Sequence, residues 1–237
     1  VDAQRGAVFT KMSREIIVAA RHGGPHPEGN FRLRQAIDRA KAAGVPNDNI
    51  KRAIAKGAGA EGGDALEELR YEGYGPGGVA VLVRALTDNR NRTAGDLRAT
   101  FTKFGGNLGE TGCVGWMFDE RGQILVPNEE GTLSEDDLLL VALNAGALDV
   151  IHHGDSFEVL TEPSGLEQVQ DALVAAGFPV GSSEVADIPS NLQEITDADI
   201  AKKVLRLMER LDDLDDVQRV AANYDLAESL SEELEAV

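Results

Sequence analysis

Soft metal ligands are almost absent from this chain, which has one cysteine, Cys113, and four histidines. A lone cysteine excludes an intrachain disulfide and any cysteine-based zinc cluster, and a reducing cytoplasm is its simplest home. Long apolar runs are missing too. None approaches the roughly 20 residues of a membrane-spanning helix, and no signal peptide opens the sequence. Val1 stands where Met would begin a natural chain, so the N-terminus is expected to have been trimmed. Aromatics make up only 5%, yet 42% of the 237 residues are hydrophobic, enough for cores in two or three small domains. Basic residues are scarce in one part only. Residues 1–60 hold eleven Lys and Arg against five Asp and Glu, a net +6, whereas residues 61–237 hold 12 against 36, a net −24. The overall charge of −18 would argue against nucleic acid, but the average hides a basic N-terminal segment.

That segment reads as three helices. Val8, Phe9, Met12, Ile16, Ala19 and Ala20 form a helical stripe, ended by Gly23-Gly24-Pro25. Asn30 can cap a second helix with Leu33, Ala36, Ile37 and Ala40 inward, closed by Gly44. A third starts at Asn47 or Asp48 and carries Ile50, Ala53 and Ile54 to Gly57. "GAGAEGGD" at 57–64 has linker composition. "YEGYGPGG" predicts a constrained turn, with Gly75, Gly77 and Gly78 supplying backbone angles that a Cβ forbids, before the buried strand "VAVLVRAL". A helix follows from Thr93 to Phe104. "CVGWMFD" and "QILVP" then predict a hairpin about "ERG", with Cys113 as a small core residue. Further on come a helix at 134–145 capped by Ser134, strands within "ALDVIHHGDSFEVLTEP", and a helix at 164–176. A strand near 178–187, an amphipathic helix from Asp197 to Leu214 and a last strand "VQRVAANYD" complete the chain. Removing the middle block αββαβ leaves βαββαβ, the ferredoxin-like order. The expected fold class is therefore α+β: a helical domain at 1–62, a discontinuous α/β domain at 71–130 plus 191–237, and an inserted α/β domain at 131–190.

No catalytic pattern emerges. His152 and His153 are neighbours on a presumed strand and point to opposite faces, so they cannot share a metal. Gly23-Gly24-Pro25 separates His22 from His26. Cys113 has no sequence-near base or cation to activate it. The carboxylates fall mainly in helix first turns or in runs such as "DDLDD", which read as capping and solvated surface. Neither a nucleophile elbow nor a phosphate-binding glycine loop is present, and no enzyme, metal or cofactor is expected. One stretch stands apart. "LTDNRNRT" (86–93) ends the buried strand and opens a helix. Asn91 or Thr93 can serve as N-cap. A cap does not need Arg90 and Arg92, whose charges oppose the helix dipole; two guanidiniums beside free N–H groups suit a phosphate. Cap alone and cap plus anion contact both remain open.

The stretches "RGAVFTKMSREI", "FRLRQAIDRAKAAGVPNDNIKRAIAKG" and "YEGYGPGGVAVLVRALTDNRNRTAGDLRATFTKFGGNLGETGCVGWMF" resemble the YebC/PmpR family. The similarity spans nearly the whole chain and weakens after residue 130. It implies a helical N-terminal domain and two α/β domains in a crescent, with a short basic segment ahead of "DAQRG". It also implies a cytoplasmic regulator that is not an enzyme. Family members are described as DNA-binding transcriptional regulators. Others are described as ribosome-associated factors that relieve stalling, and a mitochondrial branch activates translation of a cytochrome oxidase subunit. The expected partner is thus nucleic acid, DNA or ribosomal RNA, with the ribosome itself as the alternative. The candidate phosphate contacts are Lys11, Arg14, Arg21, Arg32, Arg34, Arg39, Lys41, Lys51, Arg52, Arg90 and Arg92.

Overall fold

The computed structural model describes residues 2–59, 65–230 and 234. Part of the expected linker, residues 60–64, lies outside the described residues. The class is α+β with a helical N-terminal segment. Two compact units share the chain: Val1–Met117 with Asn191–Val237, and Phe118–Ser190.

The first unit opens with α1 (Asp2–Gly23), α2 (Phe31–Ala42) and α3 (Asn47–Gly57). The apolar stripes bury Ile16, Ala20, Leu33, Ala40 and Ile50 in a common core. Asn30 caps α2 by accepting from Leu33 N (3.1 Å), and its amide donates to Ala19 O and Gly24 O at the end of α1. One buried side chain thereby satisfies orphan groups at two helix ends.

A four-stranded sheet follows in the order β3-β1-β2-β9. Its strands are β1 (Glu67–Tyr74), β2 (Ala80–Thr87), β3 (Asn107–Leu108) and β9 (Val217–Ala222). Val79, Val81 and Val83 share a core with Leu97 and Phe101 of α4 (Arg90–Lys103) and with Val204, Leu207 and Leu211 of α7 (Ala198–Asp212). Asp197 caps α7 by accepting from Asp199 N and Ile200 N. A short parallel pair, β8 (Gln193–Ile195) and β10 (Tyr224–Leu226), lies in the same unit. The turn between β1 and β2 uses positive φ at Gly77 and Gly78, as expected, but Gly75 has an ordinary φ of −91°.

The second unit comprises β4 (Phe118–Pro127), α5 (Glu135–Asn144), β5 (Asp149–His152), β6 (Ser156–Thr161), α6 (Leu166–Ala175) and β7 (Ser182–Pro189). Its sheet order is β5-β6-β4-β7, antiparallel at every pairing. This βαββαβ sequence with that strand order is the ferredoxin-like arrangement. The expectation, which put the motif in the discontinuous domain at 71–130 plus 191–237, therefore assigned it to the wrong unit. It cut the chain at residue 130, whereas the compact unit begins at Phe118. The expected hairpin about "ERG" is one continuous strand, paired with β6 and β7 across Gly122. A Cβ on Gly122 would run into Thr161 Oγ1 and Leu166, so this glycine serves close packing within a strand.

"CVGW" is likewise no strand. The segment between β3 and β4 wraps around Glu72 of β1, a residue only 2% exposed. The Glu72 carboxylate accepts from the backbone N–H groups of Gly112 (2.7 Å), Val114 (3.2 Å) and Gly115. Those amides are thereby unavailable to a strand ladder. A Cβ at residue 115 would stand 2.5 Å from Glu72 Oε1, so glycine lets the backbone reach the carboxylate. Burial alone would raise the Glu72 pKa; the three amides, with Arg70 nearby, outweigh it and hold the carboxyl below its usual range. Cys113 sits half-buried in this loop, and burial, then the Glu72 charge, pushes its thiol pKa up. Trp116 Nε1 donates to Cys113 O, leaving the indole exposed.

Replacing Glu72 by Gln should cost about 2 kcal/mol, because amide hydrogens would face amide hydrogens in a buried site. Urea unfolding gives the loss, and Trp116, the only tryptophan, reports the loop by its fluorescence. Because the folded pKa of Glu72 is depressed, its contribution is present above the ordinary carboxylate range and disappears as pH falls through the folded value. The variant should lack that part of the acid sensitivity. An unchanged emission spectrum and unchanged stability would show that the loop is held by something else.

Candidate nucleic-acid interface

β2 delivers its last residue, Thr87, to the loop that starts α4. The N-cap is Asn89, whose side chain accepts from Arg92 N at 3.1 Å. Neither Asn91 nor Thr93 is the cap, because the helix begins at Arg90 and both lie inside its first turn. The Thr93 hydroxyl turns inward instead and donates to Asp216 Oδ2 at 2.7 Å.

Asp216 is the centre of this region. It is 5% exposed and lies in the short connection between α7 and β9. Arg92 grips it with two nitrogens, Nη2 to Oδ1 (2.8 Å) and Nε to Oδ2 (3.1 Å), and also reaches Asp88. Arg14 of α1 donates to Asp216 Oδ1 at 2.7 Å, to Leu86 O and to Asp215 O. Burial alone would raise the Asp216 pKa; hydrogen bonds from Arg92, Arg14 and Thr93 outweigh it and hold the carboxyl below its usual range. The same bonds, first to Asp216 and then to Asp88, raise the pKa of Arg92. Two of the expected phosphate contacts, Arg14 and Arg92, are thus committed to an internal carboxylate. The "DDLDD" run (212–216) was expected to be solvated surface, but its last residue, Asp216, is buried because Arg14, Arg92 and Thr93 donate to it.

The other candidates divide into those held by the fold and those exposed without a partner. Arg90 pairs with Glu67 at 2.8 Å. Arg32 bridges Glu15 (2.9 Å) and Glu68 (2.6 Å). Lys11 donates to Asp212 O and Arg21 to Leu66 O. Arg34 donates to Pro27 O and lies over the Phe31 ring, and Arg39 reaches Gln35 O. Lys41, Lys51 and Arg52 differ. They are exposed on α2 and α3, and among the described residues they have no ion-pair partner. Of the expected contacts, these three are the ones without an ion-pair partner among the described residues.

Elsewhere the titratable groups do not converge. His152 stacks on Phe157 and lies 3.7 Å from Glu135, while His153 lies 3.9 Å from Glu158. Among the described residues no group of three His, Cys, Asp or Glu is placed to hold a metal ion. No described helix is long and apolar enough to cross a membrane.

Residues 1–60 match the family model "TACO1/YebC protein N-terminal domain", and residues 66–224 match "TACO1/YebC second and third domain". A relative from Desulfitobacterium hafniense named "Probable transcriptional regulatory protein" is 54% identical over 232 residues, covering 98% of this chain and 92% of its own. One of the same name from Microcystis aeruginosa is 57% identical over 236 residues, covering 97% and 92%. The crystal structure of the conserved hypothetical protein Aq1575 from Aquifex aeolicus superposes with a TM-score of 0.85 at 48% identity, over 96% of this chain and 93% of that one.

Changing Asp216 to Asn keeps the shape of the side chain and removes the charge that two guanidiniums share. The expected loss is on the order of 3 kcal/mol, since it leaves Arg14 uncompensated in a partly buried site. Arg92→Lys should also destabilise, because an ammonium cannot grip both carboxylate oxygens. The depressed Asp216 pKa adds stability at neutral pH that is lost as pH falls through the folded value, below the unfolded value of about 3.9. Urea titrations of wild type and Asp216→Asn across that range should converge at the acid end. Parallel curves would exclude the network as a source of stability.

Proposed function

Because the chain belongs to the TACO1/YebC family, we propose that it is a non-enzymatic, cytoplasmic regulator of gene expression that binds nucleic acid through the outward faces of α2 and α3. The observation that carries this reading is the exposure of Lys41, Lys51 and Arg52 without ion-pair partners among the described residues, within a segment of net charge +6. Phosphate contacts of this kind supply affinity and orientation without sequence readout. The relatives' name as transcriptional regulators supports duplex DNA as the target.

A second reading has its own observation. The unit Phe118–Ser190 carries fifteen Asp and Glu against one Arg, a net −14, and would be repelled by a long duplex. A ribosome presents both RNA phosphate and basic protein, and so suits a translation factor of the same family.

The test is a salt titration of binding to duplex DNA and to a ribosomal RNA fragment, followed by fluorescence anisotropy. The variant Lys41→Ala/Lys51→Ala/Arg52→Ala should keep wild-type stability. It should also flatten the slope of log affinity against log salt by about 0.9 per lost contact on duplex DNA. An unchanged slope removes this face from the interface. Tighter binding to a particular duplex favours transcription; co-sedimentation with ribosomes in excess duplex favours translation.

A further inference from the structure

The outward face of α5 is built of leucine. Leu138 and Ala142 point inward and are fully buried. A surface helix should then present polar side chains to water on its other side. Here Leu139, Leu140 and Leu143 lie outward, Leu140 at 62% exposure and Leu143 at 47%. Together with Asp136 they follow the i, i+3, i+4, i+7 spacing that places residues on one helical face. Exposed leucines scattered singly are ordinary, whereas a contiguous apolar ridge marks a surface that meets a partner.

The charge around the ridge says what kind of partner fits. Glu135 and Asp136 stand at its start, and Asp149 follows shortly after its end. The unit that carries it has fifteen acidic residues and a single basic one, Arg121, which itself lies 3.6 Å from Glu162. A nucleic acid would be repelled, and two copies of this face would bring acids against acids. We propose that the Leu139–Leu140–Leu143 face of α5 docks an amphipathic helix of a partner protein, its apolar stripe flanked by Lys and Arg. The leucines supply the buried contact area, and the surrounding carboxylates supply steering and orientation. The proposal stands apart from the nucleic-acid reading, because it uses the other unit and the opposite charge.

The probe is a synthetic helical peptide of about 16 residues, with Leu at i, i+3, i+4 and i+7 and Lys at the remaining outward positions. Its binding to the full chain is followed by anisotropy, beside a counterpart with Glu in place of Lys. Wild type should bind the Lys peptide, more weakly as salt rises, and should not bind the Glu peptide. Leu140→Gln/Leu143→Gln should weaken binding by about tenfold or more, with unchanged thermal unfolding because both side chains are exposed. Leu140→Lys, which sets the partner's own charge on the face, should also weaken it. Four results would overturn the proposal. The first is no binding of the Lys peptide at low salt; the second is equal binding in wild type and the Gln variant, which would mean general attraction to an acidic surface. Self-association that the Gln variant abolishes would mean that a second copy covers the face. Duplex DNA binding that the same variant weakens would assign the face to nucleic acid.

Discussion

A carboxylate taken out of water must be met by donors on nearly all of its lone pairs, and Asp216 meets that demand with side chains drawn from two distant parts of the chain. Arg14 comes from α1; Arg92 and Thr93 come from the start of α4; Asp216 itself leads into β9. Because Arg14 also binds Leu86 O, the end of β2 is fixed to the same point. The helical segment and the sheet of the first unit are therefore joined through one charge. This resolves the chemistry of residues 86–93. Arginines in the first turn of a helix oppose its dipole, and here the opposition is offset by a buried anion that Arg92 grips with two nitrogens.

Glu72 applies the same rule with different donors. Its partners are backbone amides on the β3–β4 segment, so the demand of one carboxylate fixes the path of a loop. Both acids have depressed pKa values despite burial that acts the other way. Charge near neutral pH is thus part of the folded state at two separate points in the first unit. The consequence for function is subtractive. Many basic side chains in the N-terminal segment are engaged with acids or carbonyls of the same chain, and of the expected phosphate contacts only Lys41, Lys51 and Arg52, on α2 and α3, are exposed without an ion-pair partner among the described residues.

What the sequence made legible depended on the range of the interaction. Helix stripes and the caps at Asn30 and Ser134 rest on neighbours within a few residues, and both were readable. β2 announced itself by its β-branched run. β1 did not, because its charged residues alternate with Leu69 and Tyr71 and it contains Gly73. β4 looked broken at Gly122, since a glycine required by Thr161 and Leu166 cannot be told from a turn glycine without them. That single misreading moved a strand between units and the ferredoxin-like order with it. Asp216 was hidden for the same reason: several aspartates crowd residues 212–216, and the arginines that select one of them lie more than a hundred residues away.

The separation of charge between the two units gives each kind of surface a different response to its surroundings. Contacts from Lys41, Lys51 and Arg52 would act through counterion release, which weakens steeply with salt and tolerates many partners. The leucine ridge of α5 acts through removal of apolar area from water, which added salt does not screen, while the −14 charge around it discourages anionic partners. Neither surface is needed to hold its own unit together, since the residues concerned are exposed and the cores lie beneath them. Substitutions at these faces therefore separate binding from folding. Substitutions at Asp216 and Glu72 do not, because there the charge belongs to the fold.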